Sequence, residues 1–192
     1  MHHETDPAIN TLRKKIDSID TQLIELLRRR MHAGQCIGIA KRATRRSLVF
    51  HPRREEQILD RLAREAPELA SAIPGIWTEI FCASRALQDP RPVAVVDMPN
   101  GPVHLGTRLL LGRATRCRLC ATKEEAEQLL LTGACALAAL ADGCAIPPSL
   151  RLIHSYGGLE LAGALEQDPP GAVPLPGIIL LAAVTETGTI HA

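Results

Sequence analysis

Aromatic side chains are scarce: one Trp, one Tyr and two Phe in 192 residues, with Tyr156 alone in the second half. Any core built there must be aliphatic. Net charge is also small, +1, which gives no general argument for nucleic acid or an acidic membrane as partner. Long apolar runs are missing too. The longest, around Gly133–Leu140 and Pro176–Val184, are far too short to span a bilayer. The first residues, Met-His-His-Glu-Thr-Asp-Pro, are polar and acidic and lack the pattern of a secretory signal. A soluble, cytoplasmic protein is expected. Six cysteines suit that compartment as free, mostly buried thiols. Cys117 and Cys120 form a C-x-x-C, yet Cys135 and Cys144 do not supply the second pair of a zinc ribbon. Structural thiols are expected, with no metal and no cofactor.

What is present is uneven. Residues 1–88 carry 15 Lys/Arg against 11 Asp/Glu, and residues 89–192 carry 7 against 10. Pro7–Arg42 has no interior proline and a sustained apolar stripe, so it reads as one helix on the order of 50 Å long. That is long for a helix inside one small domain and points to packing against a partner chain. Gly34 and Gly38, four apart, suggest close approach of another helix or a ligand. Thr44–His51 reads as a basic loop. Pro52 opens a second helix to about Glu65, with Glu55 and Glu56 in its first turn. Pro67–Pro74 is a connector, and a third helix runs from about Gly75 to Gln88. Asp89-Pro90-Arg91-Pro92 ends it, which sets domains at 1–88 and 93–192 with 89–92 as linker. Beyond it, Val93–Val96 reads as a buried strand and Val103–Leu111 as helix or strand. Lys123–Leu131 reads as a helix capped by Thr122, Ala134–Ala141 as strand or helix, and Gly177–Val184 as an apolar segment. Strands alternating with helices predict a small α/β unit.

The first helix holds cations where an apolar stripe should continue. Leu12, Ile16, Ile19, Leu23 and Leu26 are followed at steps of three and four by Arg30, Ala33, Ile37 and Lys41, which marks one face. Arg28 and Arg29 fall off it. Arg30 and Lys41 stand about three turns, roughly 16 Å, apart. Buried cations are costly unless paired, so such a wall suits an anion. On the third helix, Trp77, Ile80, Ser84 and Gln88 repeat the pattern, polar groups again interrupting an apolar face. The basic run Lys41-Arg42-x-x-Arg45-Arg46 has no interleaved aromatics and reads as a substrate-attracting rim rather than a nucleic-acid face.

Several short elements occur together: Leu12-Arg13-x-x-Ile16-Asp17-x-Ile19-Asp20, Leu26-Leu27-x-x-Arg30, Ile37-Gly38-x-x-Lys41, Pro52-x-Arg54-Glu55 and Ser84-x-x-x-Gln88. Singly, each has an ordinary explanation as a surface ion pair, a snorkelling cation or a solvated helix start. In this order and spacing they resemble the all-helical chorismate mutase family, especially the mutase domain fused to prephenate dehydratase. The resemblance implies an all-α three-helix domain in an intertwined homodimer, followed here by a small α/β domain. It implies rearrangement of chorismate to prephenate, a step toward phenylalanine and tyrosine. Arg30 and Arg13 would bind the substrate carboxylates, Arg13 reaching into the partner's site. Arg54 would add positive charge and Ser84 a hydrogen bond. Lys41 and Gln88 would donate to the ether oxygen, and Glu55 would accept from the ring hydroxyl. The family commonly has an aspartate three residues before the matching arginine; here that hydroxyl-binding place holds His51.

Residues 93–142 faintly resemble the opening of a prephenate dehydratase, with His104 and Gly112 at comparable offsets. They lack its Thr-Arg-Phe signature, and no Glu-Ser-Arg-Pro effector motif occurs. The expectation is a degenerate α/β remnant with a structural, interaction or regulatory role. Two alternatives stay open on sequence. An isochorismate pyruvate lyase of the same fold would release pyruvate, and a non-catalytic helical dimer would bind an anionic metabolite or protein without turnover.

Overall fold

The computed structural model describes residues 7–43, 49–157 and 176–184. Arg45 and Arg46 of the basic run, and most of the Pro/Gly-rich tail, lie outside them. The chain divides into two compact units, residues 1–47 and 48–192.

The described residues of the first unit form one helix, α1 (Pro7–Ala43), 37 residues long, with Lys41 and Arg42 in its last turn, where cations favour the helix dipole. Its buried residues are Gly34 and Gly38.

The second unit opens with Phe50 and α2 (Pro52–Glu65). A 3₁₀ turn, Pro67–Leu69, leads into α3 (Ile73–Gln88). Pro74 falls in the first turn of α3, where a missing N–H costs nothing, so this helix starts two residues before the expected Gly75. Then follow β1 (Val93–Val96), α4 (Pro102–Leu111), β2 (Cys117–Cys120), α5 (Lys123–Leu131), β3 (Leu137–Ala141), β4 (Leu150–Tyr156) and β5 (Ile178–Ala183). The five strands form one sheet in the order β2-β1-β3-β5-β4. β1 runs parallel to β2 and β3, while β5 is antiparallel to β3 and β4. The architecture is thus a helical N-terminal part, α1 to α3, followed by a small mixed α/β sheet.

The central strands read as apolar runs because both sheet faces are covered. Alternate residues serve opposite cores. Ala94, Ala138, Ile179 and Leu181 pack with Ala126, Leu129 and Leu130 of α5. Val93, Val95, Ala139, Ile178 and Leu180 pack with Val103 and Leu111 of α4 and with Phe50. Phe50, read from sequence as part of a loop, is 2% exposed in the sheet core. α5 is fixed by a reciprocal cap: the Thr122 hydroxyl accepts from the Glu125 N–H, and the Glu125 carboxylate accepts from the Ala121 N–H at 3.0 Å.

The C-x-x-C motif is strand β2. Residues three apart on a strand face opposite sides. Cys120 belongs to the α5 core and Cys117 packs against the α4 core, so these sulfurs line two cores rather than one ligand set. Burial pushes the Cys117, Cys120 and Cys135 thiols up. Among the described residues, no helix is long and apolar enough to cross a membrane.

Candidate functional site

On α1 the buried face carries Arg30, Gly34, Gly38 and Lys41, at steps of four, four and three residues. Both cations are half-buried and both glycines buried. Burial pulls the Lys41 ammonium down from its ordinary 10.5, because a partly desolvated cation gives up its proton more readily. Ala33 and Ile37, grouped with this stripe by spacing, are exposed. The buried positions lie to one side of Ala33 and Ile37, toward Gly34 and Gly38. Arg28 pairs with Glu25 at 3.7 Å, both side chains well exposed, so it is a surface residue. Arg13 is exposed. So are its apolar neighbours: Leu12, Ile16, Ile19, Leu23 and Leu26 are 46–61% exposed in the single chain.

In the second unit, three matched residues share the start of α2. His51 is the N-cap, and its carbonyl accepts from the Arg54 and Glu55 N–H groups at 3.0 and 3.1 Å. His51 and Arg54 are exposed, Glu55 half-buried. Ser84 and Gln88 lie on one face of α3, where the Gln88 amide donates to the Ser84 hydroxyl at 3.3 Å. These two were expected near each other, and the bond orients both.

Glu55 meets a residue that the sequence did not single out. Arg85 of α3 donates through Nη1 to Glu55 Oε1. Through Nη2 it donates to the Leu111 carbonyl, the last residue of α4, at 2.6 Å. Its guanidinium carbon sits 5.4 Å from the centre of the Phe50 ring, within cation–π range. Arg85 stands off the Trp77–Ile80–Ser84–Gln88 stripe, and its partner is thirty positions away. No local spacing could have announced it. Around the pair, His154 approaches Glu56 at 3.6 Å and stacks edge-on against Tyr156 with ring centres 4.5 Å apart. Burial, reinforced by Glu55, pushes the Tyr156 hydroxyl up to about 12.

An open groove between α3 and α4, lined by Thr78, Glu79, Arg108 and Arg113 among others, contains none of the matched residues. Two of its side chains bond to the Arg113 backbone. Glu79 accepts from the Arg113 N–H at 2.8 Å, and Arg108 donates to the Arg113 carbonyl at 2.7 and 3.0 Å.

Seven of the candidate residues thus fall at three places, Arg30 and Lys41 along α1, His51 with Arg54 and Glu55 at the start of α2, and Ser84 with Gln88 on α3, while Arg13 lies apart on α1. Residues 12–89, which span all three, match the family model described as chorismate mutase type II. Curated relatives include the intracellular chorismate mutases of Mycobacterium bovis and of Mycobacterium tuberculosis strains CDC 1551 / Oshkosh and H37Rv. Each is 32% identical over 62 residues, 32% of this chain and 58% of the relative. The chain therefore spans a little over half the length of the curated relatives it matches. No solved structure matches it significantly.

Proposed function

We propose, from the match of residues 12–89 to the chorismate mutase type II model, that this chain rearranges chorismate to prephenate by electrostatic preorganisation. The observation that carries the reading is the pair of half-buried cations, Arg30 and Lys41, on a helix inside the matched segment.

The substrate is a dianion. Its rearrangement stretches a carbon–oxygen bond, so negative charge grows on the ether oxygen. No nucleophile, metal or redox group is needed. The protein has to hold a compact conformer and aim fixed donors at the charge that develops. Arg30 suits a carboxylate because its guanidinium forks onto both oxygens. Lys41 supplies a compact point charge to the ether oxygen, and its partial desolvation strengthens that field. Gln88, oriented by its bond to Ser84, is the second donor to the same oxygen. Glu55 accepts from the ring hydroxyl. Arg54 adds positive charge at the start of α2, beside His51.

The assembly is a homodimer. The exposed apolar stripe of α1, Leu12 through Leu26, would be covered by a second copy, which brings Arg13 into the neighbouring site. Residues 1–88 form the mutase domain, 89–92 leave it, and the α/β part supports α2 and α3. The protein works in the cytoplasm, without nucleic acid, membrane or cofactor.

The test is loss of chorismate absorbance with purified full-length protein, beside Arg30→Ala and Lys41→Ala. Each substitution is expected to lower the rate by about 10²–10⁴, typical of removing a preorganised donor. Wild-type protein no faster than the spontaneous reaction, or silent substitutions, would reject the reading. Tight binding without product would leave only an anion-binding dimer.

A further inference from the structure

We infer that Arg85 is a positioning residue for the rearrangement: it holds the Glu55 carboxylate against the end of α4, so that the sheet domain sets where Glu55 presents its oxygens. The inference rests on Glu55 being the acceptor of the substrate's ring hydroxyl.

Three contacts define the device. One arm of the guanidinium takes Glu55 Oε1, the other takes the Leu111 carbonyl at 2.6 Å, and the Phe50 ring lies 5.4 Å away. Leu111 and Phe50 are each 2% exposed in the core that also contains β1, β3 and β5. The far anchors of Arg85 therefore sit in the core packed on the sheet, while its near anchor is the candidate acceptor on α2. Exposed ion pairs contribute little, but these side chains are only 15% and 21% exposed. At that burial, removing one partner strands the other's charge. A carboxylate has about four lone-pair sites, so the bond to Arg85 is compatible with a further donor such as a substrate hydroxyl. Lysine substitutes only in part: its ammonium keeps the charge toward Glu55 but lacks the planar fork that reaches both oxygens.

A double-mutant cycle in the full-length chain tests this: Arg85→Met, Arg85→Lys, Glu55→Gln and Arg85→Met/Glu55→Gln, each assayed for chorismate turnover and for thermal unfolding. Arg85→Met is expected to lower kcat/KM by about 10–10²-fold. The change should fall mainly on KM, because a hydroxyl contact is made in ground and transition states alike. Arg85→Lys is expected to recover part of the loss. On the Glu55→Gln background, Arg85→Met is expected to change kcat/KM by less than about twofold, the signature of residues acting as one unit. Equal losses on both backgrounds, or a wild-type KM in Arg85→Met, would overturn the inference while leaving the mutase reading intact. If Arg85→Met loses its cooperative unfolding transition, the cycle is run with Arg85→Lys under the same criterion. A wild-type protein without turnover overturns both together.

Discussion

Helix α1 and the sheet unit place their apolar side chains in opposite ways. The sheet unit closes on itself: β1, β3 and β5 are covered on one face by α5 and on the other by α4 and Phe50. In α1, 37 residues bury only two glycines, and five leucines and isoleucines of one stripe stay exposed in the single chain. Helical propensity alone gives little lasting order in water; a packed face supplies the rest. The difference teaches how to read two kinds of apolar pattern. A continuous run flanked by turns fills this chain's own core, whereas the stripe at helical spacing on α1 stays exposed in the single chain.

The strongest way to break that contrast is at Phe50. It is an aromatic from the helical half inserted into the aliphatic sheet core, and it also lies beneath Arg85. Phe50→Ala should cost about 3–5 kcal/mol, the usual range for removing a buried ring. That loss should be independent of protein concentration in a denaturant titration. A loss below about 1 kcal/mol would mean that the core closes without it.

Much of this was legible in the residues. Prolines and caps placed α2 and α5 to the residue: Pro52 suits the first turn, and Thr122 with Glu125 is a reciprocal cap. Val93–Val96 announced a buried strand by composition alone. Two strands were missed. β2 was hidden because its C-x-x-C invites a metal reading and Arg118 interrupts its apolarity. β4 was hidden because Leu150–Tyr156 mixes Arg151, His154 and Ser155 into a segment between Pro147-Pro148 and Gly157-Gly158, and its pairing comes from β5 more than twenty residues later. Shared placement was legible where it follows local spacing, as in the half-buried Arg30 and Lys41 of α1 or the bonded Ser84 and Gln88 of α3. Arg85 and Phe50 were not, because both matter through partners distant in sequence.

A second way to sharpen the contrast acts on the stripe. Leu23→Asp places a charge in the middle of the face proposed to meet a second copy. Burying a leucine contributes about 1.5–3 kcal/mol, and twofold symmetry repeats the change on the partner. Sedimentation is expected to show a shift from two chains toward one. Turnover should fall with it, since Arg13 would no longer reach a neighbour. Far-ultraviolet circular dichroism should lose part of the α1 signal while the sheet's thermal transition persists. A mass unchanged by Leu23→Asp would place the dimer contact elsewhere.

The smallest expected effect is also the one that separates the two units by sign. Lys41 on α1 has its pKa lowered below 10.5 by burial, whereas Tyr156 in the sheet unit is raised from 10.0 to about 12 by burial and then by Glu55. Between the folded Lys41 value and 10.5 the unfolded chain binds more protons, so this group makes stability rise with pH. Between 10.0 and about 12 the folded chain keeps the Tyr156 proton that the unfolded chain loses, so that contribution is full below 10 and fades as pH climbs. Activity follows Lys41 in the other sense. The donor role proposed for it needs the ammonium, so turnover should decline at a pH below that of an ordinary lysine. Lys41→Arg keeps its charge throughout this range and should remove the alkaline limb from whatever rate survives, while Tyr156→Phe should leave the limb in place and flatten only the stability loss above pH 10. An alkaline limb that persists in Lys41→Arg would assign the titration to another group and detach Lys41 from the developing charge.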